Sequence, residues 1–163
     1  QEAAISVVQW SGADHQELSI PWTRIRTSLD AARLADAAQL TTRAFTLSDT
    51  APAEAIKFAL PLFAQVPDCK AKVIDVSGDG IRNDGFQPRH AYAHFPFEGV
   101  TVNGLAVLGA DPIVDDYYRY EVRHGPGAFV ETAQGYLGYE SAMRRKLFRE
   151  INGLMVGQVD LPR

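Results

Sequence analysis

The 163-residue chain holds one cysteine, Cys69. That excludes an intrachain disulfide and any zinc site built on cysteine pairs, and it leaves the compartment open. No apolar run approaches the roughly 18 residues that a membrane-spanning helix needs. Charge of one sign is scarce too. Sixteen lysines and arginines stand against 20 aspartates and glutamates, a formal net charge of −4, so the electrostatic footprint of nucleic-acid binding is missing. No Gly-x-Ser-x-Gly marks a nucleophile elbow, and Gly125-Pro126-Gly127 lacks the lysine and threonine of a phosphate loop. His90 and His94 share the spacing of a helix face, but the glutamate and third ligand of a zinc protease are absent. These histidines read as surface or capping residues. Internal repeats and low-complexity segments are also lacking, as is a signal-peptide pattern. The chain nevertheless opens at Gln1 rather than Met, and an upstream segment is expected.

What is present is ordinary for a folded protein: 46% hydrophobic and 22% charged residues, in a length that suits one domain over residues 1–163 with a substantial core. "AAISVVQW" and "ELSIPW", separated by the turn "SGADHQ", predict an antiparallel hairpin. From Ser28 to Leu40 the period turns helical, with Ala31, Leu34, Ala35 and Ala38 on one face. A second helix is expected in "SDTAPAEAIKFAL": Ile56, Ala59, Leu60 and Phe63 form its stripe, Asp49 or Thr50 its cap, and Pro61 its end. "AKVIDV" has the short β-branched character of a strand buried on both faces. "PRHAYAHF" is a weak helix, "GVTVNGLAVLG" a strand, "VDDYYRYEVR" a short helix packing its tyrosines, and "GPGAFVETA" a turn entering a strand. Tyr139 to Asn152 is the clearest helix, with Met143, Leu147, Ile151 and Leu154 on one face. Its basic run Arg144, Arg145, Lys146 and Arg149 reads as a solvated face. Strands alternating with helices predict an α/β fold with a largely parallel, covered sheet and an antiparallel hairpin at its edge.

One stretch carries chemistry. "VIDVSGDGIRNDG", Val73 to Gly85, places carboxylates just past an apolar run. Asp75, Ser77, Asp79 and Gly80 match the opening of an EF-hand loop, but Phe86 occupies the position of the bidentate glutamate and a strand precedes the loop. The alternative follows from the strand. In an open α/β sheet, ligands sit beyond the carboxyl ends of the strands, and Asp79 would stand there. Magnesium needs only one or two carboxylates with hydroxyls and waters. Thr50, at the start of the preceding helix, is the natural companion. Asp75, two residues inside the strand, is expected to bond nearby backbone. Ser77 and Asn83 are the remaining outer positions. An acidic turn without an ion is the third possibility.

"VIDVSGDGIRNDG", "GVTVNGLAVLG", "YYRYEVRHGPGAFVETA" and "AMRRKLFREI" together resemble a proteobacterial family of unknown function with a von Willebrand factor type A-like fold, and "VVQWSG…IPWTRI" is similar to that family's second and third strands. The resemblance spans nearly the whole chain. It implies a Rossmann-like domain with a metal-ion-dependent adhesion site, periplasmic or secreted. Three elements build that site: an Asp-x-Ser-x-Ser, a threonine, and an aspartate in a Gly-Asp-Gly turn. Asp79 matches the third and Thr50 stands at the second, although Ala51, Pro52 and Ala53 depart from the family's pattern there. The first element is missing. The resemblance therefore implies a central strand and helix before Gln1, roughly 30 residues or more, supplied by the same chain or by a separate fragment. The function that follows is non-catalytic protein binding through a divalent ion, Mg²⁺, whose open position takes an acidic side chain of the partner. The rivals are a Mg²⁺-dependent hydrolase or phosphotransferase with Asp75 beside the metal, and a structural subunit whose ion site has decayed.

Overall fold

The structure, a computed structural model, describes residues 2–46 and 49–156, with side chains described as far as Gly153. It is an α/β fold, as the alternation of elements predicts. Two compact units interleave along the chain, one of Gln1–Lys72 and Arg82–Phe97, the other of Val73–Ile81 and Glu98–Arg163.

The first unit is built on the expected hairpin. Strand β1 (Ala3–Trp10) pairs antiparallel with β2 (Gln16–Ile25), and the register slips between Ile5 and Val8. Helix α1 spans Ser28–Leu40, the range that the periodicity predicts. Thr27 opens it with a capping box: its hydroxyl accepts from the Asp30 amide, and the Asp30 carboxylate accepts from the Thr27 amide. No residue of α1 is buried, so its predicted apolar face is half-covered at Leu34 and open at Ala31, Ala35 and Ala38. Helix α2 (Pro52–Ala59) has Pro52 in its first turn, but its cap is Ala51, and neither Asp49 nor Thr50 caps it. Beyond Leu60 the chain tightens into a 3₁₀ turn, Leu60–Gln65, as Pro61 requires. Ile56 and Phe63 fall in the core. The Trp22 ring meets Phe63 and its indole N–H donates to the Leu62 carbonyl at 2.9 Å. Helix α3 (Pro88–His94) packs on α2 and buries Ala91.

The second unit is a parallel sheet in the order β3 (Lys72–Gly78), β4 (Val100–Leu108), β5 (Val130–Gln134), separate from the hairpin. Strand β4 is central and almost entirely buried. On one face Leu105, Val107 and Ala133 pack against Ala142, Tyr139 and Met143 of helix α5 (Tyr139–Val156). On the other lies helix α4 (Val114–Tyr117), which runs into a π-helical turn, Tyr118–Val122. There the Tyr118 ring lies so close to Gly104 that a Cβ at that position would meet it at 2.7 Å. Tyr118 is fully buried, Tyr117 half-buried and Tyr120 exposed, so the expected packing of the tyrosine run holds fully for one ring of the three.

Two expectations are corrected here. Strand β3 is an edge strand covered on one face, with Ile74 and Val76 inside, because β4 alone pairs with it among the described residues. Helix α5 turns a different face inward from the apolar one: Ala142, Lys146 and Glu150 lie toward the sheet, while Leu147 and Ile151 stay largely open and the Leu154 side chain lies outside the described residues. The reason is in the partner. Asp75 and Asn103 point polar groups at that helix, and only polar side chains satisfy them. No helix among the described residues is long and apolar enough to cross a membrane.

Candidate functional site

The carboxyl end of β3 lies in the second unit. Asp79 follows the last strand residue, and its Oδ2 accepts a hydrogen bond from the Tyr136 hydroxyl at 2.7 Å. Two residues earlier, Ser77 Oγ accepts from the Tyr139 hydroxyl at 3.3 Å. Both tyrosines come from the short turn and helix that follow β5, so the end of the sheet gathers them over the end of β3. Behind them stands Tyr118. Its hydroxyl is buried and bonds to no described residue. Burial first, then the proximity of Tyr117 and Asp79, holds that phenol well above its ordinary pKa. The edge is therefore one carboxylate in a setting of hydroxyls.

Asp75 is elsewhere engaged. Its carboxylate binds the ammonium of Lys146, and Lys146 Nζ also donates to Glu150 Oε1 at 2.7 Å. The Lys146 side chain is 0% exposed, which corrects the expectation of a solvated basic face. Glu150 Oε1 accepts in addition from Asn103 Nδ2 at 2.7 Å, and Asn103 Oδ1 accepts from the Phe129 amide at 3.0 Å. The guanidinium of Arg149 lies 3.9 Å from the centroid of the Phe129 ring. Because β3 is an edge strand, Asp75 is open along its backbone, but its side chain is only 30% exposed beneath α5. Burial pushes its carboxyl up to about 7, against the opposing pull of Lys146. Asp75 thus bonds a side chain, not the backbone expected from the sequence.

The EF-hand reading fails on the same geometry. Asp75 and Ser77, its first and third positions, lie in an extended strand, and the first carboxylate is taken by a lysine.

Thr50 and Asn83 fall in the first unit, apart from Asp75, Ser77 and Asp79 in the division of the chain. Asn83 Oδ1 accepts from the Thr50 amide at 2.7 Å, and the Thr50 carbonyl accepts from the amides of Asn83 and Asp84. The loop is knitted further by Asp84, which accepts from Ala13 N at 2.7 Å and Gly85 N at 2.8 Å, bonds that hold its carboxyl below the usual range. Glu54 accepts from Phe86 N at 2.9 Å. Gly85 sits at φ +68°, where a Cβ would meet the Glu54 carboxylate at 2.2 Å. Asn83 therefore shapes the Thr50 loop by its side chain. His90 and His94 are exposed on α3, with His94 Nδ1 2.8 Å from the His90 carbonyl. Among the described residues no three His, Cys, Asp or Glu side chains converge as a metal-binding group.

The description "protein of unknown function (DUF1194)" belongs to a family whose model matches residues 1–155. The chain belongs to the DUF1194 family. Comparison with curated proteins and with solved structures found no match. Within this DUF1194 chain, the sequence pointed to Asp79 and Asp75, while Lys146, Glu150, Asn103, Tyr136 and Tyr139 had to come from the fold. The one sequence signal for the buried cluster was the Lys146–Glu150 spacing of four residues, which is as common on open helix faces.

Proposed function

We propose that this DUF1194 chain is a non-catalytic binding domain of the von Willebrand factor A-like type, working outside the cytoplasm, in which Asp79 holds a divalent cation, Mg²⁺, at the carboxyl end of β3. The observation that carries the reading is the Asp79 carboxylate itself. It stands just past the strand, one oxygen oriented by Tyr136 and, among the described residues, no lysine or arginine ion-paired to it. The donors fit a hard cation that keeps most of its waters: a carboxylate, with hydroxyls nearby and no soft ligand. When bound, the ion would supply a positive centre with open positions, and an acidic side chain of a protein partner would fill one. The open edge of β3 supports a second contact, since Val73, Ile74 and Val76 lie in an edge strand that can take one more parallel strand. The expected central strand, from this polypeptide or a fragment, is the occupant we assign to it.

The hydrolase reading requires Asp75 free as a base beside the metal, and its commitment to a fully buried lysine speaks against that role. The test is calorimetric titration of Mg²⁺ into the chain. Asp79→Ala is expected to abolish binding while the circular dichroism spectrum is kept, and Tyr136→Phe to retain binding. Unchanged affinity in Asp79→Ala overturns the assignment. No binding in the native chain leaves the structural-subunit reading in its place. Thr50→Val, read in the same titration, tests the threonine expected from the sequence.

A further inference from the structure

The hold on α5 changes character along its length. Up to Met143 the helix is seated by apolar contacts with Leu105, Val107 and Ala133. Beyond it, Leu147, Phe148 and Ile151 are exposed, and the inward contacts are polar: Lys146 to Asp75 and Glu150, Glu150 to Asn103, and Arg149 on Phe129. The inward cluster has two carboxyls and one ammonium. Asp75 and Glu150 both bond the one Lys146 ammonium, which draws the two carboxyls to the same point. With both carboxyls ionised the cluster carries one negative charge that nothing in it balances, and two anions share one cation in a poorly solvated place.

We propose that Asp75, Lys146 and Glu150 form a proton-operated latch, which fastens the C-terminal half of α5 to β3 and β4 while one proton is shared between the carboxyls and loosens it when that proton leaves. The neighbours do not substitute for the proton. On β4 the facing group is Asn103, which is neutral; from the segment before β5 it is the Phe129 ring; on β5, Glu131 is paired outward with Arg145 at 3.5 Å. On α5 itself, Arg149 lies over Phe129. The Asp75 side chain retains 30% exposure, so solvent can deliver and remove the proton without unfolding the sheet.

The direction follows from the Asp75 carboxyl, whose pKa is raised in the fold from 3.8 to about 7. The folded latch binds the proton more tightly than the open one. Its contribution is complete below about pH 4 and is lost as pH rises through about 7. The experiment is hydrogen–deuterium exchange of the full chain at pH 5.5 and 8.5, corrected for intrinsic rates, with a chelator present so that no cation at Asp79 contributes. Protection in residues 147–153 is expected to fall about thirty-fold over that interval, while protection in β4 stays constant. In Asp75→Asn, which mimics the protonated carboxyl, the dependence is expected to vanish. Glu150→Gln serves the same end if that variant does not fold. A change under about three-fold in the native chain, or the same change in the folded variant, overturns the latch.

Discussion

Lys146→Met removes the only cation from the buried cluster and leaves Asp75 facing Glu150. The methionine fills most of the lysine's volume, so the loss is electrostatic. Breaking a buried pair by deleting one partner costs about 3–5 kcal/mol, because the charge left behind is uncompensated. Here the charge has an escape: Asp75 can take up a proton. Its carboxyl is already pushed from 3.8 to about 7, a displacement equivalent to about 4 kcal/mol held against the ionised form above pH 7. Without Lys146 the displacement grows, and the cost of Lys146→Met is expected near 3–5 kcal/mol at pH 8, shrinking by at least half at pH 5.5. Asp75→Asn should behave oppositely at pH 8, neutral or stabilising, since it removes the surplus charge while Lys146 keeps Glu150. Urea denaturation followed by circular dichroism at the two pH values reads both. A Lys146→Met loss below about 1 kcal/mol at pH 8, the range of a solvent-exposed pair, refutes the reasoning.

Tyr118→Phe deletes a buried hydroxyl with no bonded partner among the described residues, and should raise stability by about 1 kcal/mol; a fall in the denaturation midpoint would show that the hydroxyl has a partner. Gly85→Ala forces a Cβ at φ +68° toward the Glu54 carboxylate, and is expected to cost about 1–3 kcal/mol, read as a lower midpoint. Gly104→Ala pushes a methyl group into the Tyr118 ring at 2.7 Å, an overpacking of about 1–3 kcal/mol that Gly104→Ala combined with Tyr118→Leu should relieve. Thr27→Ala removes the capping box of α1 and should cost about 1 kcal/mol of local helix stability, visible as faster amide exchange at Asp30.

Elements with a strong local signal were legible in the sequence. The Ser28–Leu40 helix and the Ala3–Trp10 strand follow from their periodicity, and Pro61 marks the change of winding after α2. What periodicity could not supply was the identity of the neighbour. The stripe through Met143, Leu147 and Ile151 is the apolar one, but α5 faces β4 and β5 with Ala142, Lys146 and Glu150. A lysine among arginines looks solvated until Asp75, 71 residues earlier in the chain, is placed beneath it. The acidic stretch does close a strand, as its apolar, β-branched lead-in predicts. Its two aspartates were separable only in part: their spacing put Asp75 inside the strand and Asp79 beyond it, while the residues that engage each come from segments after residue 135. Backbone strain was invisible at Gly85 for a similar reason, because Glu54 closes on it from 31 positions away.

The two compact units share the chain in alternate segments: β3 belongs with residues after Glu98, whereas Arg82–Phe97 returns to the hairpin. As the polypeptide emerges from a ribosome, the hairpin unit stays unfinished until residue 97 is out, and β3 must wait for β4 with its apolar side uncovered. A cut after Phe97 therefore keeps every residue of the hairpin unit but leaves β3 attached to it and parted from β4. A stop codon placed anywhere between β3 and β5 would strand an unpaired sheet edge, the species that chaperones retain and proteases clear.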